Sequence, residues 1–177
     1  MTKLLHWTIF LLLLYQYVVA MNMIRMARTD TALGGFSQDT LYNWHKSVGL
    51  VLLLLAFARY TWRRTTPLPD WAPTLTSFEK KATHWIERVL YICMFVMPIA
   101  GFIYVMAGGY GVMLFGRWPL PNALNGIDWL AETGRITHRV TAIVFVAAWL
   151  AHLTLVLKHQ FVNRDGFLRR MLPFTHQ

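Results

Sequence analysis

Four stretches of this 177-residue chain, 4–23, 41–62, 82–107 and 136–160, are apolar for as long as a helix needs to cross a bilayer core. Hydrocarbon offers no water to a backbone N–H or C=O, so each stretch must satisfy its hydrogen bonds internally, as a helix. The expected fold is therefore all-α: a four-helix transmembrane bundle, with residues 1–177 forming a single integral-membrane domain. Composition agrees, since 56% of the residues are hydrophobic and only 14% are charged. The first stretch also has the outline of a signal peptide, with Lys3 ahead of the apolar run and Val18-Val19-Ala20 resembling a cleavage site. Tyr15, Gln16 and Tyr17 interrupt that run, and a retained helix is expected. Cys93, the single cysteine, lies within an apolar stretch and is read as a small buried residue.

The net charge of +9 points to topology rather than to nucleic acid, because Lys and Arg collect in cytoplasmic loops of membrane proteins. No basic helix or basic loop interleaved with aromatics is present, so no nucleic-acid partner is expected. Eleven basic residues fall on one side: Lys3, Arg59, Arg63, Arg64, Lys80, Lys81, Arg88, Lys158, Arg164, Arg169 and Arg170. Six fall on the other: Arg25, Arg28, Lys46, Arg117, Arg135 and Arg139. The asymmetry predicts that both termini are cytoplasmic, and an even number of helices, which returns the chain to its starting side, agrees. Pro67, Pro69 and Pro73 make residues 65–76 an extended cytoplasmic connector. The outer loop from Gly108 to Arg135 is rich in Gly, Pro and Asn, carries Trp118 and Trp129, and is expected to cover the outer end of the bundle. Pro98 predicts a kink in the third helix, and Gly101, close helix packing.

Histidine at membrane depth is costly and points to function. His138 and His152 lie fourteen residues apart in the fourth stretch. On a helix that spacing puts both imidazoles on one face, displaced by ~21 Å along the axis. His45 opens the second stretch on the outer side, and His6 opens the first from the cytoplasmic side. Depth therefore pairs His45 with His138 and His6 with His152, each pair joining two different helices. Zinc would want a third or fourth ligand at the same depth, and none is evident. Haem needs only two axial ligands, so the pattern reads as two bis-histidine haems stacked across a membrane, centres that pass electrons. Taken singly, each histidine is more often a snorkelling group at the interface; pairing by depth reverses that preference. Gly49, one turn after His45, would let a macrocycle lie close to the helix.

Other residues keep two readings. His159, seven positions beyond His152 on the same face, is a ligand, a proton donor or an interface residue; His84 shares that ambiguity. His176 lies in the tail and is read as uninvolved. Met21, Met23 and Met26 could ligate iron, but apolar packing is their expected role.

Several segments together resemble the prokaryotic cytochrome b561 family of di-haem membrane proteins. They are Asn43-Trp44-His45-Lys46-Ser47-Val48-Gly49, Arg59 with Arg63, Leu90-Tyr91, Met97-Pro98-Ile99-Ala100-Gly101, and the run from Lys158 to Pro173. The resemblance covers nearly the whole chain and implies four helices, two b-type haems and residence in the bacterial inner membrane. In one branch it implies superoxide oxidation coupled to ubiquinone reduction, with axial positions falling on His6, His45, His138 and His152. The chain departs from the family at Glu87 and Gln160, where members often carry histidine.

Under that resemblance, Arg25, Arg28, Lys46, Arg135 and Arg139 are candidates for drawing superoxide to the outer haem. His159, His84 and Glu87 are candidates for proton supply, and Trp7, Arg59 and His159 for the quinone pocket. Expected partners are membrane lipid, quinone and superoxide, with a second copy of the chain (a homodimer) a further candidate. Two other functions remain open: a cytochrome b subunit linking quinone to a periplasmic dehydrogenase or hydrogenase, and a helical membrane protein without haem.

Overall fold

The computed structural model describes residues 1–29, 36–67, 71 and 74–165, without the side chains of residues 28 and 29. Four long helices run α1 Thr2–Thr29, α2 Gln38–Thr65, α3 Ser77–Ala107 and α4 Asp128–Leu157, with a two-stranded hairpin, β1 Met113–Leu114 and β2 Trp118–Pro119, between α3 and α4. All four helices are long and apolar enough to cross a membrane. Leu11, Leu54, Ile92 and Ile143 stand exposed, as side chains facing lipid would.

Each helix is longer than its apolar stretch, for reasons found at its ends. Ser37 caps α2, its Oγ accepting from Thr40 N at 3.2 Å. Thr76 and Glu79 form a reciprocal capping box that starts α3 five residues ahead of the apolar run. Asp128 sits in the first turn of α4, where the helix dipole favours an acid. Hydropathy stops at polar residues, whereas a helix continues as long as its backbone bonds are made. The outer connection therefore spans only 108–127. Pro98 lies inside α3, which is assigned as one continuous helix through it.

Packing divides the bundle. α3 lies along α4, and α1 along α2, while α2 also meets α3. Neither α1 nor α2 approaches α4 as extensively. At Gly134 a Cβ would lie 2.8 Å from Tyr104 N and 2.9 Å from Ala100 O, so α3 and α4 touch backbone to backbone there. Ile9, Val48 and Leu52 form the apolar core between α1 and α2.

The outer loop folds back over the start of α2, covering this end as expected. Lys46 Nζ donates to Gly111 O at 2.9 Å, and Phe115 N donates to Ser47 Oγ at 2.7 Å. Trp44 meets Phe115 edge-on. Phe115 takes a φ of 50° beside Gly116 at 70°, an unusual conformation for a bulky residue, held here by contacts on both backbone and ring. Asn122 Nδ2 fastens the far side of the loop to Met106 O at 2.8 Å.

Candidate haem centres

The face of α4 turned toward α1 and α2 carries both histidines of the fourth stretch. Near the hairpin end the rings of His45 and His138 lie edge to face with centroids 6.2 Å apart. Near the opposite end His6 and His152 lie tilted to each other at 6.4 Å. A metal–imidazole bond of about 2 Å on each side of one iron, plus half of each ring, sums to about 6.4 Å. Both pairs therefore leave the room that a trans bis-imidazole iron takes up. Two donors per site suit haem, whose macrocycle supplies the other four. Among the described residues, no three His, Cys, Asp or Glu side chains gather as a free-ion site.

Second contacts orient the outer pair. His138 Nδ1 donates to Met97 O at 2.8 Å, which leaves the Nε2 lone pair available to a metal. A Cβ on Gly101 would lie 2.8 Å from that same Nδ1, so the glycine makes room for the ring as well as for the helix. His45 Nδ1 is buried without a hydrogen-bond partner, a cost that a metal or an added bond would relieve. Gln16 Nε2 donates to His45 O at 2.8 Å. Gly49 faces that amide at 3.3 Å from where a Cβ would stand, so Gln16 is the first neighbour its missing side chain admits. Between the two pairs α1 meets α4 through aromatic side chains, Tyr17 on Phe145 and Phe10 on Trp149, and Tyr17 Oη donates to Ala142 O at 2.9 Å.

The sequence-selected residues around these pairs fall into separate settings. At the hairpin end, Arg135 forms a two-pronged ion pair with Glu132, which offsets its charge. Lys46 holds the hairpin, and Arg139 is exposed. Arg25 lies near the outer end of α1; the side chain of Arg28 lies outside the described residues, as do Arg169, Arg170 and His176. At the opposite end, Glu87 is ion-paired with Arg63 at 2.5 Å, and His84 meets Trp71 edge-on. Trp7 packs edge-on against His6, and Arg59 Nε donates to Tyr91 Oη at 3.3 Å.

His159 has the most developed surroundings. It is buried to 1% exposure in a π-helical turn, Lys158–Val162, that closes α4. A small cavity of about 60 Å³ is lined by His152 and His159 together with Leu75, Thr83, Ile86 and Leu155. Nδ1 of His159 lies 2.6 Å from Asp165 Oδ2, and Nε2 lies 3.6 Å from Glu79 Oε1. Lys158 Nζ bonds the same Glu79 oxygen at 2.6 Å, and Thr74 Oγ1 donates to Asp165 at 2.6 Å. Sequence reasoning did not single out Glu79, Asp165, Gln16 or Glu132. Gln16 had a signal, an amide inside an apolar helix. Glu79 had another, three residues after Thr76.

Four spanning helices with imidazole pairs held across their interior define a multi-pass membrane electron-transfer protein. The family model for prokaryotic cytochrome b561 matches residues 1–174, and the chain belongs to that family, whose members bind haem b and whose bacterial setting is the inner membrane. It is 29% identical over 128 residues to cytochrome b561 homolog 2 of Escherichia coli strain K12, covering 72% of this chain and 68% of that one. It is 25% identical over 172 residues to the probable superoxide oxidase CybB of Yersinia pestis, covering 95% and 91%.

Proposed function

We propose that this protein carries electrons inward across the membrane, oxidising superoxide at its outer face and reducing ubiquinone near its cytoplasmic face. The carrying observation is the pair of histidine couples at 6.2 and 6.4 Å on one face of α4. His45 and His138 would hold an outer haem b and His6 and His152 an inner one; haem so held exchanges single electrons and has no open coordination site. Each superoxide gives up one electron and leaves as oxygen. Ubiquinone takes two electrons and two protons, so one quinol consumes two superoxide ions. Similarity to the Yersinia pestis protein supports the choice of substrate.

The chain's own groups have work at both ends. Arg25, Lys46, Arg117, Arg135 and Arg139 outnumber Asp39, Asp128 and Glu132 there, so the described residues leave the outer end net basic, a field that raises the local concentration of a small anion. Arg135 adds less, since Glu132 answers its charge. At the inner end, the cavity beside His152 is the candidate ubiquinone headgroup site. His159 would hand a proton to a bound ring oxygen and recover it through Asp165 and Glu79, which tie it to the connector and to Lys158.

The test is anaerobic addition of superoxide to purified protein with a soluble quinone analogue. Reduction of the b-type absorbance followed by quinol, one for every two superoxide ions, is expected. His138→Ala and His152→Ala should each remove about half of the haem absorbance, as loss of one of two axial ligand pairs requires. Absorbance that stays oxidised under superoxide would remove the substrate and favour a docked protein donor instead.

A further inference from the structure

We propose that Arg59 is the anion anchor of the inner site, its guanidinium receiving a propionate carboxylate of the haem held by His6 and His152. The inference rests on the axial-pair reading of those two histidines. Arg59 and Arg63 stand one turn apart near the inner end of α2, and the fold treats them differently. Arg63 has its counter-ion, Glu87, at 2.5 Å. Arg59 has a neutral partner, the Tyr91 hydroxyl, at Nε. Its Nη1 is buried with no hydrogen-bond partner, and no carboxylate among the described residues lies within ion-pairing distance of it. A guanidinium cannot shed its proton, and an uncompensated charge at this depth is expensive. The site is built for an anion that none of the described residues provides.

Location identifies that anion. Arg59 lies fourteen residues along α2 from His45, as His152 lies from His138 along α4, which puts it on the face of α2 that carries His45, ~21 Å along the axis and at the depth of the inner pair. Its partner therefore belongs at the rim of whatever those two imidazoles hold between them. Haem carries two carboxylates on one edge of its macrocycle, within reach of such a side chain. A quinone carbonyl accepts a hydrogen bond but is neutral, so it would leave the charge uncompensated. Tyr91, by fixing Nε, turns the remaining N–H groups in one direction.

The full-length protein, Arg59→Gln, Arg59→Lys and Tyr91→Phe are produced with haem carrying ¹³C at its propionate carboxyls. Two quantities are read: the rate at which each haem transfers to apomyoglobin, and the labelled carboxylate band in redox-difference infrared spectra. Arg59→Gln should lose one of its two haems about ten- to a hundred-fold faster, a usual cost for removing an outer partner of a metal site. Its carboxylate band should shift. Arg59→Lys keeps the charge without the planar fork, so it should retain haem better and still move the band. Should Arg59→Gln not accumulate, the band in Arg59→Lys and Tyr91→Phe decides the matter. Two haems retained with an unmoved band overturn the anchor, and so does weakened binding of a quinone analogue as the only change. A wild-type protein without two b-type haems instead removes the axial-pair reading itself.

Discussion

At Gly101 a single added methyl group would stand 2.8 Å from His138 Nδ1 and 3.0 Å from its Cε1. The 2.8 Å bond to Met97 O holds the ring where that methyl would stand. Gly101→Ala should therefore displace the His138 ring at a cost of about 1–3 kcal/mol, the usual range for overpacking a closed site. Electron paramagnetic resonance of the purified protein checks it: one of two low-spin signals should change while the other stays as in wild type. An unaltered pair of signals would mean that the ring has space elsewhere. Residues of this kind were only half legible. Gly101 was expected to ease helix packing, and its closest neighbour is the imidazole across the interface. Which neighbour a glycine admits depends on how two helices are rotated about their axes, and hydropathy carries no such information.

Among the elements, the α3–α4 seam and the outer hairpin depend on single positions. Gly134 faces the backbone of Tyr104 and Ala100 at under 3 Å, and backbone cannot swing aside as a side chain can. Gly134→Ala should lower the stability of the bundle by roughly 1–3 kcal/mol, against about 0.5 kcal/mol or less for Val140→Ala on the exposed face. Thermal unfolding in detergent, followed by helix signal, separates the two. Ser47, fully buried, joins Asn43 O to Phe115 N. Ser47→Ala strands the Phe115 N–H at a cost of about 1–3 kcal/mol. Hydrogen exchange should then rise in residues 113–119 and stay as in wild type in α4. Faster exchange throughout would show instead that Ser47 supports the whole bundle. The hairpin itself was not foreseen, because a long polar connection reads as loop until its two ends are brought together. Its covering role was legible from length and composition.

Across the whole molecule, eleven basic residues on one side against six on the other predict cytoplasmic termini. A membrane-impermeant maleimide should label Arg117→Cys from outside intact cells and Thr66→Cys only after permeabilisation. Cys93, the single cysteine, is buried and gives little background. The reverse labelling pattern would invert the proposed direction of electron flow. Helix number, approximate spans and the matching of histidines by depth follow from the sequence alone. Each is a one-dimensional property: apolar length sets the span, parity puts both termini on one side, and fourteen residues of helix set a ~21 Å offset on one face. Only tertiary structure decided which groups meet. It set His45 opposite His138 and His6 opposite His152, slid Gly101 under an imidazole, and set Gln16 on His45. It gathered Glu79, Asp165 and Lys158 around His159, and among the described residues it gave Arg63 a carboxylate and Arg59 none. Those contacts depend on helix rotation and on where the connecting chain returns, and residues far apart in sequence settle both together.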